Sequence, residues 1–230
     1  MKHFIDFGSK RIYYTLEYKD RKSLGITVTP EMEVLVKAPV KSTLAQVNEK
    51  VRRRAPWILK QQSFFLSYYP KTPPRKFVSG ESHLYLGRQY RLRVLTGVNG
   101  IKLAGGFMVL TCPDKSKTKQ VLKAWYLKQA KIKFQLLARK WILRFKKYDV
   151  EPQSLVIREM PTRWGSCTPK NKIILNPELI KAPTGCIEYV IVHELCHLVY
   201  RNHTSKFMAL QNKELPGWQK WKDKLEKVLM

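Results

Sequence analysis

Residues 189–198 read Tyr-Val-Ile-Val-His-Glu-Leu-Cys-His-Leu, an apolar run interrupted by two histidines and one glutamate. Apolar neighbours on every side call for a buried helix, and buried polar groups need partners. In a helix, His193 and His197 lie about one turn apart on one face, so both imidazoles reach a single cation. Glu194 sits about 100° round from His193, and its carboxylate is directed at water beside the cation rather than at the cation. That is the arrangement of a general base acting on water whose pKa a metal has lowered.

A third ligand is at hand in His203, six residues beyond His197. In an uninterrupted helix it would lie about 600° round and roughly 9 Å along, facing away. To join the pair it must follow a chain reversal, which Arg201-Asn202 offers because Asn tolerates the left-handed conformation that ends helices. Three of the chain's five histidines fall in this short stretch. Three protein ligands with an open position make a metal site of the catalytic type. The spacing equals that of the metzincin zinc peptidases, but Tyr200 stands where they carry a turn glycine, so the chain is not assigned to them.

The rest of the chain reads as α+β. Arg11–Tyr18, Leu24–Thr29 and Glu33–Ala38 are rich in β-branched and aromatic residues and predict strands, with Ser23 and Pro30 at their margins. Pro39 ends the third, and Ser42 or Thr43 caps a helix with the stripe Leu44, Val47, Val51, Ala55, Ile58 and Leu59. Pro56 is expected to kink or split that helix. Residues 70–75 form a proline-rich loop. Leu84–Leu86 and Tyr90–Val94 flank a turn at Gly87-Arg88, and Ile101–Leu103 and Phe107–Leu110 pair through Gly105-Gly106. After Asp114 the period changes: Leu127, Ala130, Phe134, Leu137, Trp141, Phe145 and Tyr148 mark a long amphipathic helix with a basic outer face. Strands at 155–158 and 172–175 precede the His helix, expected over 187–200, and a last helix covers 218–229. The change of pattern sets a β-rich N-terminal region at 1–114 and a catalytic region at 115–230.

Charge adds one constraint. Lys and Arg number 44 against 17 Asp and Glu, a formal net charge of +27. Between Lys50 and Tyr148 there are 24 basic residues and only Glu81 and Asp114 as acids. Such an excess points to an anionic partner, a nucleic acid, a nucleotide or other phosphorylated small molecule, or a membrane surface, or else to a non-specific solvated surface. A hydrophobic share of 44% excludes wholesale disorder. No apolar run approaches the roughly 18 residues that span a bilayer. Asp6 interrupts the first apolar residues, which argues against a signal peptide. Four cysteines without a C-x-x-C pair read as free thiols in a reducing cytoplasm.

The run Arg163-Trp-Gly-Ser-Cys167, then Ile174-Leu-Asn176, Leu179-Ile180, Tyr189–Leu198, and Asn202-His203 through Phe207 resembles the YgjP-type family. These are metal-dependent hydrolases related to the SprT-like and minigluzincin zinc peptidases. The likeness is densest over 155–210 and extends to Trp57-Ile58, Gly80-Glu81 and Tyr85–Tyr90. It implies a zincin-like catalytic domain: a small sheet packed on the H-E-x-x-H helix, with a backing helix. It also implies one zinc ion held by His193, His197 and His203, with Glu194 as catalytic base. Cys196 stands where a small residue is expected, a conservative change in a helix core.

Substrate stays open. The leading reading is a zinc-dependent hydrolase of metallopeptidase type acting on polypeptide, with Lys172–Leu175 as the edge strand that pairs with it. The alternatives are a nucleotide pyrophosphatase acting on UTP or other nucleoside triphosphates, as one family member is described, and a nucleic-acid-binding or DNA-directed protease module. Arg163 is expected to clamp a carboxylate or phosphate and Trp164 to line the cleft, or the loop is structural packing beneath the metal helix. Asn176 before Pro177 is read as a helix cap.

Overall fold

The structure is a computed structural model. It describes all residues except 1, 9, 30, 67–74, 162 and 230, and omits the side chains of 64 and 65. The chain divides into two compact units, Met1–Pro73 and Pro74–Met230.

In the first unit, β1 (Lys2–Phe7), β2 (Lys10–Lys19), β3 (Gly25–Val28) and β4 (Val34–Pro39) form a sheet of order β1-β2-β4-β3. β2 and β4 are parallel, and the other pairs are antiparallel. Alternation puts Ile12, Tyr14 and Leu16 of β2 on one face with Val34, Val36 and Ala38 of β4. That face is covered by α1 (Leu44–Leu66) through Val47, Val51, Ala55 and Ile58, all fully buried. Leu44, expected in the stripe, is exposed instead. Thr43 and Gln46 cap α1 reciprocally, each side chain accepting the other's backbone N–H at 3.3 and 3.1 Å. Pro56 does not split α1. It lies on the exposed side, where water can take the bond its missing N–H leaves open at the Arg52 carbonyl.

The second unit opens with β5 (Ser82–Tyr85), β6 (Arg88–Thr96), β7 (Gly100–Ala104) and β8 (Phe107–Cys112), in the order β5-β6-β8-β7. The β5–β6 turn is Leu86-Gly87 rather than Gly87-Arg88, with φ of 48° and 79°. Both values are positive, as a type I′ turn requires. A leucine is held there because its N–H donates to Ile180 O at 2.8 Å and that of Gly87 to Lys181 O at 3.0 Å. A Cβ at Gly87 would meet Pro183 at 2.7 Å, so only glycine permits this approach.

The long α2 (Thr118–Phe145) buries Leu122, Tyr126, Ala130, Phe134, Ala138, Trp141 and Phe145, while Leu127 is exposed. Next comes a three-stranded sheet of β9 (Ser154–Ile157), β10 (Gly165–Cys167) and β11 (Lys172–Leu175), in the order β10-β11-β9. α3 (Thr184–Val199), α4 (Ser205–Glu214) and α5 (Trp218–Leu229) complete the unit. The ring of Trp221 sits so near Gly185 that a Cβ there would lie 2.5 Å from it, which seats α5 on α3.

The architecture is mixed α and β, as expected. The compact units, however, part at 73/74, not at the change of pattern near 114/115. Tyr85, Leu92, Met108 and Leu110 of the β5–β8 sheet share one continuous core with α2 and α3. Residues 70–74 of the expected proline loop lie outside the described residues. No helix among the described residues is long and apolar enough to cross a membrane.

Candidate metal centre

α3 is buried almost all round, with Ile187, Tyr189, Val190, Ile191, Val192, Leu195 and Cys196 in the core. Its β-branched run Val190–Val192 is a poor helix former in isolation, so tertiary burial holds the helix. Among these apolar residues His193 and His197 emerge one turn apart, their ring centroids 4.9 Å from each other.

The helix ends because Tyr200 turns to an extended conformation, φ −129° and ψ 111°. The left-handed step expected at Asn202 does not occur, since Asn202 has no positive φ. The chain then re-enters a helix at α4, where Thr204 accepts the Phe207 N–H at 3.4 Å. This reversal brings His203 back: its Nε2 stands 3.0 Å from His193 Nε2. One ligand atom from each of His193, His197 and His203 lies within 4.8 Å of the others. The fully buried Phe207 ring faces all three imidazoles, with centroids 4.7–5.1 Å away.

Two further contacts orient the ligand atoms. Gln211, buried on α4, accepts from His193 Nδ1 at 2.8 Å. Tyr200 O accepts from His197 Nδ1 at 3.3 Å. Each bond places the ring proton on Nδ1 and leaves the Nε2 lone pair turned to the triad. Burial, partly offset by the Gln211 bond, pushes His193 down to about 4, and burial lowers His197 as well, so both are neutral at pH 7. Neutral imidazoles are what a divalent cation needs, and the donor set fits zinc.

Glu194 is buried beside them, and burial pushes its carboxyl up to about 8 against the opposing pull of Arg163 and a hydrogen bond from the Cys167 N–H. That N–H is available because of strand geometry. In the β10–β11 ladder, Asn176 N–H donates to Trp164 O and Thr168 N–H to Lys172 O, so Ser166 points its backbone at β11. Gly165 and Cys167 therefore point theirs away from β11, and the Cys167 N–H lies toward Glu194. β10, not Lys172–Leu175, is the edge strand: β11 is paired on both sides.

Arg201 fixes the β10–β11 turn from the end of the metal helix. It donates to Thr168 O at 3.0 Å, to Pro169 O at 3.4 Å and to Asn171 Oδ1. Arg163 is exposed with its charge acting on Glu194, and Trp164 is half-buried against the core. Asn176 does cap the turn at 177–181, accepting from Glu178 N–H at 3.1 Å. Its amide also donates to Met160 O and Arg163 O at 2.8 and 3.1 Å, and so ties down the segment that carries Arg163. All four cysteines are free.

Gln211 plays no part in the sequence analysis, and Arg201 enters it only as half of the expected reversal. Phe207, Leu210, Gln211 and Glu214 do recur at helical spacing, but two of the four are polar, which hides the stripe.

Among known families, the YgjP-like metallopeptidase domain matches residues 22–228. No curated protein and no solved structure matches the chain.

Proposed function

Because this chain belongs to the YgjP-like metallopeptidase family, we propose that it is a zinc-dependent peptide hydrolase. His193, His197 and His203 hold one zinc ion, and Glu194 is the general base. The convergence of three imidazoles beside a buried carboxylate carries this reading. Zinc, when bound, supplies Lewis acidity that acidifies water and polarises a carbonyl oxygen.

The protein's own groups do the rest. Glu194, raised by burial, is poised near neutral pH to take a proton from attacking water and return it to the leaving amine. The Cys167 N–H and the absence of a side chain at Gly165 hold that carboxylate in place. An extended peptide adds to β10, where the outward backbone groups of Gly165 and the Cys167 carbonyl remain for it. Arg163 and Trp164 flank the start of β10 and contact the substrate there. Peptide is favoured over nucleoside triphosphate because no carboxylate cluster suited to Mg²⁺ adjoins the triad among the described residues. Four free thiols suit a reducing cytoplasm.

The test is substrate class. The zinc-loaded protein, incubated with an unfolded polypeptide and separately with a panel of nucleoside triphosphates, should cleave only the polypeptide, and a chelator should abolish cleavage. Turnover of triphosphates without proteolysis would overturn the peptidase reading.

A further inference from the structure

α1 of the first unit uses its apolar face for the sheet and presents a different set of residues to its flank. Lys50, Arg53, Arg54 and Trp57 recur at spacings of three, one and three, which is one stripe of a helix. That stripe walls a groove of about 600 Å³, closed on the opposite side by Ser23, Leu24 and Ile26. The size is that of a binding cleft. α1 carries five Lys and Arg against one acid, Glu49. Glu49 pairs with Arg53 at 2.6 Å, while Lys50 and Arg54 have no carboxylate within ion-pair distance among the described residues. Trp57 is 39% exposed, an indole open to stacking among cations.

We propose that this groove binds single-stranded nucleic acid, with Lys50, Arg53 and Arg54 on phosphates and a base stacked on Trp57. Stacking platforms among cations are how single strands are held without sequence preference, and a duplex offers no free base face to the indole. A membrane surface is the weaker match. The apolar face of α1 is spent, Val47, Val51, Ala55 and Ile58 being fully buried, and the basic stripe lines a concavity rather than a protrusion. The inference is independent of the zinc chemistry: it concerns residues of the first unit alone.

The probe is a fluorescein-labelled 20-nucleotide oligo(dT), read by anisotropy with the full chain. Three phosphate contacts predict a log–log salt slope of about −2, or roughly 20-fold weaker binding at 200 mM than at 50 mM salt. Charge reversal of Lys50, Arg53 and Arg54 to Glu should weaken binding at least about 30-fold. The same reversal at Lys128, Lys131 and Arg139 of α2, exposed and without ion pairs, removes equal charge and should cost no more than about threefold. Trp57→Ala should weaken binding about tenfold with an unchanged salt slope. Circular dichroism checks the fold, and Lys50→Gln with Arg54→Gln provides a milder pair. Glu194→Gln should bind as wild type. Equal losses for the α1 and α2 reversals would overturn the site. So would a Trp57→Ala variant that binds as wild type, or phosphatidylserine vesicles or a duplex captured by the same residues as tightly as oligo(dT).

Discussion

Gly165 lies directly against Glu194: a Cβ at position 165 would stand 2.5 Å from Glu194 Oε1 and 2.8 Å from its Cγ. Strand and metal helix are thus in backbone-to-side-chain contact, and the Cys167 N–H, directed at the same carboxylate, favours its charged form. The glycine is there for space, not for its backbone freedom, since its φ is ordinary.

Gly165→Ala should therefore displace Glu194 and cut hydrolysis about 100-fold, because a 1 Å misplacement of a reacting group costs that much. Overpacking should also cost about 1–3 kcal/mol of stability. Zinc content should be unchanged, as no hydrogen bond joins the three imidazoles to β10 among the described residues. Steady-state kinetics with metal analysis checks this; unaltered kcat would show that the contact is immaterial.

Gln211 acts through His193. Its replacement by Ala should weaken zinc affinity about 10–100-fold while leaving Glu194 and the edge strand in place. Zinc titration against a chromophoric chelator reads the effect, and Gln211→Glu, which restores the acceptor, should recover most of the affinity. If Gln211→Ala holds zinc as tightly as wild type, Gln211 is packing only.

Glu214 anchors α4 to the end of α2. Burial alone would raise its carboxyl, but bonds from Lys147, Tyr148 and Arg144 outweigh burial and hold it below its ordinary 4.5. A depressed carboxyl gives stability that is present above about pH 4.5 and lost as pH falls through its folded value. Glu214→Gln should cost about 2 kcal/mol at pH 7 and flatten the acid limb of the stability curve below pH 4.5. Urea denaturation at a series of pH values decides it; an acid limb parallel to wild type would exclude Glu214 as its source.

The buried α3, with His193 and His197 one turn apart and Glu194 beside them, was legible because an apolar decapeptide with three polar members leaves one arrangement for them. The long α2 was legible from its period, and so was the capping of α1 at Thr43. What hid was set by contacts distant in sequence. β10 has three residues, too few for a period, and its edge position depends on β11 being paired with β9. α4 buries Gln211 and Glu214, which bond to His193 and to the α2 terminus, so no apolar pattern announces it. The reversal to His203 used an extended Tyr200, a conformation any residue adopts and no sequence signal marks. The change of pattern near 114 follows a shift from strands to helix inside one core, which composition alone cannot tell from a domain boundary.

The central claim is that Glu194 drives hydrolysis beside a zinc ion held by His193, His197 and His203. Wild type and Glu194→Gln, both loaded with zinc and analysed for metal, should each carry one ion per chain. Wild type should cleave an unfolded polypeptide, and the variant should do so at least about 100-fold more slowly, the worth of a positioned general base. Equal cleavage rates in the two, or a wild type that takes up no zinc, would contradict the account.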